Sequence, residues 1–270
     1  MMNHQQSVPV ASTAATAKQM LSPLVEREQA GQRVIDLIPS RHGVVDDLIL
    51  LLPPDEEHDR AMARVLSDAA TMSSLEFMMR PSGYSAEDAK SRRIGRDNRQ
   101  ANSELLNYTI AIKKSLVPEH AVEMVADDEY LPPKRVDIDG GYIDVDEPYL
   151  VVGCCGLVNI DPFNRSSAAG IILDARFWRT GISTAAMYYS LSFGFNELKL
   201  HRIGIETTER NVGMRGWSEN VLGIHVEAIR KEALYLGNGK FLDSWDYALF
   251  DYQWHGRVEA KLRSKLRMLG

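Results

Sequence analysis

The chain has 270 residues, of which 44% are hydrophobic, so it can bury a substantial core in one large or two small domains. A formal net charge of −6 argues against a general nucleic-acid partner and suits cationic partners better. No apolar run is long enough to span a bilayer, which argues against a membrane partner. The N-terminal sequence has neither the apolar core of a signal peptide nor the arginines of a transit peptide, so we expect a cytoplasmic protein.

The first part of the chain predicts a tail followed by the start of an α/β domain. Residues 1–30, rich in Gln, Ser, Ala and Thr, are typical of a flexible tail. The elements expected next are a strand at Asp47–Pro53, a helix at Asp55–Ala70, a helix beginning at a capping box of Ser85 and Asp88, and a strand at Leu105–Ile112.

Residues 113–148 form an acidic insertion. They carry ten carboxylates between Glu119 and Glu147, against the bases Lys134 and Arg135. Within the insertion, a β-hairpin is predicted across a two-residue turn of Gly140 and Gly141, which places Ile138 opposite Ile143 and Val136 opposite Val145. The insertion is either a rim that attracts an amine substrate or a solvated, variable loop.

A long apolar strand, Tyr149–Ile160, is expected at the centre of the sheet because it is apolar on both faces. Its neighbours Cys154 and Cys155 point to opposite faces, which argues against a disulfide between them. No Cys and His cluster has metal-ligand spacing, so we expect no metal.

The stretch from Ala169 to Leu200 predicts a buried strand, a tight turn and a long helix. The turn, Trp178 to Thr184, presents backbone N–H groups at a helix start and contains Gly181. Such groups lack intrahelical acceptors and lie at the positive end of the helix dipole, which suits a phosphate. The alternative is a plain strand-to-helix connection that is capped by Thr180 or Ser183.

The remaining elements complete the sheet. We expect a strand at His201–Thr208, a helix from Asn211 to Val221 that Gly223 ends, and two strands joined by a turn at Gly237–Gly239. Residues 31–256 are therefore interpreted as a single domain, and 257–270 as a basic, helix-like tail. A role for this tail in binding ribosomes or RNA is disfavoured, because such basic helices are usually solvated.

This order of elements resembles the GNAT acetyltransferases, particularly the RimJ/RimL-like branch. The resemblance covers Leu48 to about Trp254 and is stronger after Tyr149. The residues that carry it are Gly156-Leu157, Ile160-Asp161, Gly170 to Leu173, Trp178, Gly181, Leu200 to Ile203, Asn211, Gly223, Glu227, Gly239, Asp243 and Trp254.

The resemblance implies a mixed α/β (α+β) domain, with a twisted, mainly antiparallel sheet that is flanked by helices and splays open where acetyl-CoA enters. It also implies that the backbone of Ile172 and Leu173 pairs with the pantetheine arm and that Asn211 contacts the cofactor. The N–H groups implied to hold the pyrophosphate are those of Thr180, Gly181, Ile182, Ser183 and Thr184, and the adjacent Trp178 and Arg179 are further cofactor-binding candidates.

The chain departs from the family pattern at three places. Arg179 stands where relatives commonly have a glycine, and its side chain either pairs with a phosphate or faces solvent. Met214 stands where relatives often have a serine near the leaving thiolate, which removes the expected proton donor. The acidic insertion is longer than the usual link between strands.

The implied reaction is direct attack of a primary amine on the acetyl group. A small-molecule amine or a protein N-terminus is the easier acceptor, because an α-amine has a pKa of about 8 against about 10.4 for lysine. Glu206 is the candidate base and Asp174 and Tyr247 are further catalytic candidates, although Glu206 could equally be an exposed strand residue. The rival function is a non-catalytic module that binds acyl-CoA or a protein partner; a monomer and a homodimer are both compatible with the sequence.

Overall fold

The computed structural model describes residues 26–268. Within this range no helix is both long enough and apolar enough to cross a membrane. Residues 26–30, predicted as the end of the flexible tail, are helical; the remainder of that predicted tail, 1–25, lies outside the described residues.

The helices lie on both faces of one sheet. Their bounds are α1 (26–36), α2 (Asp59–Ser67), α3 (Ala69–Met72), α4 (Ala86–Ala101), α5 (Glu119–Val122), α6 (Ile182–Ser192), α7 (Val212–Gly216), α8 (Asp251–Gln253) and α9 (Glu259–Leu266). π-Helical turns extend α6 over Phe193–Glu197 and α7 over Trp217–Leu222, and join α8 to α9 over Trp254–Val258. The capping box predicted for α4 is present: Asp88 N–H donates to Ser85 Oγ, and Ser85 N–H donates to Asp88 Oδ2.

The strands form an eight-stranded sheet in the order β1-β2-β3-β6-β7-β8-β10-β9 and a separate β4-β5 hairpin. Their bounds are β1 (Val44–Val45), β2 (Leu50–Leu52), β3 (Leu105–Lys113), β4 (Lys134–Ile138), β5 (Gly141–Val145), β6 (Tyr149–Asp161), β7 (Ser166–Leu173), β8 (Arg202–Thr208), β9 (Val226–Gly237) and β10 (Lys240–Phe250). Among the described strands, β7 and β8 alone pair in parallel. The predicted mixed, mainly antiparallel fold is confirmed.

The predicted register of the acidic hairpin is wrong. Val136 faces Ile143 and Ile138 faces Gly141, so the turn is Asp139-Gly140. Gly140 takes the left-handed conformation (φ 84°), and tertiary contacts hold Asp139: its carboxylate accepts from Ser40 N–H at 2.7 Å, and its own N–H donates to the Arg41 carbonyl. The Asp139-Gly140 dipeptide is also a local turn signal that the sequence prediction missed, and these contacts hold its aspartate in place.

The segment predicted as a basic tail belongs to the core. Val258 and Leu262 are fully buried against the main cluster, and Arg263 donates to the Tyr188 hydroxyl on α6. Just before them, Trp254 is buried and stacks on Phe195, with ring centroids 5.4 Å apart. Because this apolar face covers the outer side of α6, residues 257–266 pack on the domain, and 269 and 270 lie outside the described residues.

Candidate functional site

The site begins where two neighbouring strands separate. β7 and β8 pair only at Ser166–Arg202, Ser167–Ile203 and Ala168–Gly204. Beyond these pairs, β7 runs on to Leu173 and β8 to Thr208 without further bonding to each other. The central sheet therefore has an opening where the facing edges of β7 and β8 are not paired with each other.

The register of β7 shows which backbone groups face this opening. Asp174 N–H donates to the Val152 carbonyl of β6 at 2.8 Å. Bonded pairs recur at every second position of an antiparallel ladder, so Ile172, opposite Cys154, is also bonded to β6. The peptide groups of Ile171 and Leu173 therefore point towards β8 and the opening. The backbone contact with the pantetheine arm, which was predicted at Ile172 and Leu173, fits Ile171 and Leu173 better.

A tight turn carries the chain from the end of β7 to α6. The Trp178 indole N–H donates to the Leu173 carbonyl at 2.8 Å, and the Thr180 hydroxyl donates to the Phe177 carbonyl at 2.7 Å. Gly181 is the N-cap of α6 with φ 91°, a conformation that favours glycine. Arg179 is also left-handed (φ 66°), a conformation that glycine adopts with less strain than arginine.

The turn and the first residues of α6 present unbonded donors. Among residues 26–268, no acceptor lies within hydrogen-bonding distance of the backbone N–H groups of 179–184, and the first bonded one is Ala185 N–H, which donates to the Gly181 carbonyl. These groups lie at the positive end of the helix dipole, which α6 and its π-helical extension provide. The arrangement fits a diphosphate, because its oxygens would accept from consecutive N–H groups.

The start of α7 lies beside this turn. The Asn211 side chain caps α7 by accepting from Met214 N–H at 3.0 Å, and its amide NH2 group has no acceptor among residues 26–268. Trp217 Nε1–H donates to Thr184 Oγ1 at 3.2 Å and so links the extension of α7 to α6. The buried hydroxyls of Thr207 and Ser218 have no partner among the described residues. A ligand in the opening would find unsatisfied polar groups on this side as well.

A partly buried network of ion pairs holds the residues that precede the turn. Asp174 contacts Arg64 of α2 at 2.9 Å and Arg176 at 2.8 Å, and Glu129 of the acidic insertion contacts the same two guanidinium groups at 2.8 and 2.9 Å. Burial raises the pKa of the Asp174 carboxyl to about 6, while Arg64 acts to lower it. The acidic insertion is thus joined directly to the residues that lead into the turn.

The two remaining catalytic candidates lie on opposite faces of the sheet. Glu206 is half exposed, opposite Asp246 in register, and pairs with Arg230 at 2.8 Å. Tyr247 is buried in the core beside Ile205, and its hydroxyl donates to Glu219 at 2.8 Å. Burial, with this hydrogen bond, raises the pKa of Tyr247.

The structure brings the predicted turn residues and Leu173 together at the opening, whereas Asp174 lies in the ion-pair network below it. Sequence reasoning missed Ile171, Arg64 and Glu129. Ile171 follows from the strand register, which single-residue patterns do not reveal. Arg64 and Glu129 carry no local signal, since each is one charge among many in its segment. No cluster of His, Cys, Asp or Glu within 26–268 could hold a metal ion.

An α/β domain with an opened central sheet beside a helix start that has unbonded N–H groups is compatible with a nucleotide-cofactor transferase, and a comparison with family models identifies the family. The model of the acetyltransferase (GNAT) domain matches residues 49–221. The protein belongs to the GNAT acetyltransferase family. The resemblance seen in the sequence is confirmed.

Individual relatives match this chain either over a short length or at low sequence identity. YdaF of Bacillus subtilis (strain 168), whose name assigns it provisionally to the ribosomal N-acetyltransferases, is 31% identical over 105 residues, which are 38% of this chain and 56% of YdaF. The match thus spans little more than half of that relative.

Solved structures share the fold over most of the chain. RimJ from Mycobacterium smegmatis, in complex with CoA-disulfide, has a TM-score of 0.59 at 18% identity, covering 85% of this chain and 97% of RimJ. RimL, a ribosomal L7/L12 alpha-N-protein acetyltransferase solved with coenzyme A, has a TM-score of 0.56 at 18% identity, covering 77% and 97%. At such identity the likeness concerns the fold alone.

Proposed function

We propose that the protein is an acetyl-CoA-dependent N-acetyltransferase that acetylates a primary amine, with a protein N-terminal α-amine as the first acceptor class to test. The observation that carries the proposal is the row of unbonded N–H groups at 179–184 beside the opened edge of β7. The names of YdaF and RimL support a protein acceptor, and a small-molecule amine is the alternative.

The residues at the opening would hold acetyl-CoA in a specific orientation. The N–H groups of 179–184 would bind its pyrophosphate, and the peptide groups of Ile171 together with the N–H of Leu173, whose carbonyl accepts from Trp178, would bond to its pantetheine arm. The Asn211 amide and the unpartnered Thr207 hydroxyl lie on the opposite side of the opening. Acetyl-CoA supplies an activated acetyl group with a thiol leaving group.

The acceptor would approach from the sheet face that carries Glu206. This face has the carboxylates Glu206, Asp246 and Glu227 against the guanidinium groups of Arg202 and Arg230, a small negative surplus that favours an ammonium group. Glu206 would accept the ammonium proton, directly or through water, so that the amine attacks in its neutral form. Tyr247 is buried on the other face, and Asp174 has both oxygens bonded to Arg176, so both are weaker candidates.

The test begins with calorimetric titration of the protein with acetyl-CoA. Thiol release is then measured with peptides that have a free N-terminus, with the same peptides blocked at the N-terminus, and with polyamines, amino acids and aminoglycosides. We expect binding, and turnover that blocking abolishes. Binding without turnover on any amine would support the non-catalytic module, to which Met214 in place of a serine points, and absence of binding would exclude both functions.

A further inference from the structure

A half-open pocket lies between α2 and α4, away from the opening in the sheet. Its floor is formed by Asn107 and Thr109 of β3 and Cys154 of β6, and α4 contributes Arg92, Arg93 and Arg96 to its wall. Neither the turn at 179–184 nor Glu206 lines it. The pocket is therefore lined by a different set of residues from the proposed cofactor site.

The charges around the pocket are not balanced. Arg93 forms a bidentate pair with Asp59 at 2.9 and 3.0 Å, and Asp55 lies within 4 Å of Arg41 and Lys134. Arg96, by contrast, makes one hydrogen bond, from its Nε to Asn107 Oδ1 at 2.9 Å, and pairs with no carboxylate among residues 26–268. Arg92 likewise has no charged partner in the described chain. Two guanidinium groups thus face one pocket without a counterion.

Two uncharged side chains on the floor of the pocket can also donate hydrogen bonds to an anion. The Thr109 side chain is buried, yet its hydroxyl bonds to no described residue. The Asn107 side chain accepts from Arg96 through its oxygen, and its amide NH2 group has no acceptor within the described range. His58 lines the wall, and burial lowers its pKa to about 4, so its ring is neutral at pH 7 and adds no charge.

We infer that this pocket binds a small oxyanion, a phosphate or carboxylate group, through Arg96, Arg92, Thr109 and Asn107. A planar guanidinium presents parallel N–H groups that match two oxygens of such an anion. Placing the partly buried Arg96 without a counterion is costly, and a bound oxyanion supplies the missing charge and acceptors together. The inference rests on the geometry of this pocket and does not depend on the proposed acetyl transfer.

Cys154 offers a local probe for the occupant. Its thiol lines the pocket, whereas Cys155 is fully enclosed and burial raises the pKa of its thiol to about 12, which makes it an internal control. Alkylation of Cys154 by iodoacetamide is followed by mass spectrometry on the full chain at constant ionic strength. The additions compared are sodium phosphate, sodium acetate and sodium chloride, all with saturating acetyl-CoA, which has no free thiol to react with iodoacetamide, so that the turn at 179–184 is occupied.

We expect phosphate or acetate, but not chloride, to slow the alkylation of Cys154, by about tenfold at ten times the dissociation constant. The phosphate and acetate arms distinguish the two oxyanions. Arg96→Gln should abolish the protection. Thr109→Val, which keeps the side-chain shape, should weaken it, and Arg99→Gln on the same helix, which pairs with Glu104 outside the pocket, should leave it unchanged.

The inference fails if neither oxyanion protects Cys154, or if chloride protects it equally. It also fails if protection survives in both Arg96→Gln and Thr109→Val. If Arg96→Gln does not fold, the Thr109→Val result decides, because that variant removes one donor and leaves the ion pairs of α4 in place.

Discussion

The two parts of the sheet build their sites from different chemical groups. From β6 onwards, the opening and the turn at 179–184 offer backbone N–H and C=O groups held by strand register and by Gly181. In the part before β6, the pocket and the network around Arg64 use charged side chains on α2, α4 and the acidic insertion. A backbone site survives extensive change of sequence, whereas a side-chain site changes with each substitution.

Replacement of Gly181 should have the largest effect, because the backbone site depends on it. Proline cannot adopt φ 91° and has no N–H to donate, so we expect Gly181→Pro to lower acetyl-CoA affinity at least about 100-fold by calorimetry. Gly95→Ala, in open space on α4, is the control for a glycine replacement. Unchanged affinity in a variant that circular dichroism shows to be folded would refute the assignment of the turn.

Glu206→Gln tests whether catalysis in the part of the sheet from β6 onwards also requires a charged side chain. The amide cannot accept the ammonium proton, so we expect kcat to fall about 100-fold at pH 7 while the KM for acetyl-CoA is unchanged. Glu227→Gln is the matched control, because Glu227 is an exposed carboxylate of the same face that pairs with Arg202. An equal loss in the two variants would mean that only the charge of this face matters.

The earlier part should show a pH dependence of stability that arises from His58. Burial lowers the pKa of His58 from 6.5 to about 4, so the unfolded chain binds a proton below pH 6.5 that the folded chain does not. Stability is thus lost as the pH falls, by about 2 kcal/mol between pH 6.5 and 5, measured by urea unfolding. His58→Gln should remove this component, while His225→Gln, at an exposed position, should retain it.

The ion pairs that join the acidic insertion to the residues leading into the turn can be weakened by a substitution of their own. Glu129→Gln removes one carboxylate from the network with Arg64 and Arg176, and we expect a loss of about 1–2 kcal/mol in urea unfolding. Acetyl-CoA should also bind a few-fold more weakly, because Arg176 leads into the turn. Asp128→Asn, whose pair with Arg60 is exposed, should change stability by less than about 0.5 kcal/mol. If the two variants behave alike, the insertion is not anchored through Glu129.

Arg179→Gly should have the smallest effect, and it has the opposite sign. Glycine adopts the left-handed conformation of this position without strain, so we expect a gain of about 0.5–1 kcal/mol in the free energy of unfolding. The acetyl-CoA affinity of the same variant decides the role of the side chain. A decrease would show that Arg179 pairs with a phosphate, and an unchanged value that it faces solvent.

The difference between backbone and side-chain sites also explains what the sequence could predict. The central strand, the turn at Gly181 and the helix stop at Gly223 follow from local patterns, and the structure confirms these elements. The hairpin register could have been predicted from the Asp139-Gly140 turn signal, whereas the packing of Leu262 on α6 depends on residues distant in sequence. The unpaired Arg96 is visible only when β3 and α4 are seen together, because its burial and its single acceptor come from the fold.

The packing of Val258 and Leu262 on α6 also determines when, during synthesis, the outer side of α6 becomes covered. Residues 259–266 are translated after every strand of the sheet, so the outer side of α6 stays exposed to solvent and to chaperones while β8, β9 and β10 are being made. The helix that presents the turn at 179–184 is stabilised on both sides only once this late segment has left the ribosome. A nascent chain that stalls before Val258 would therefore carry all the predicted site residues on a helix that is still partly uncovered.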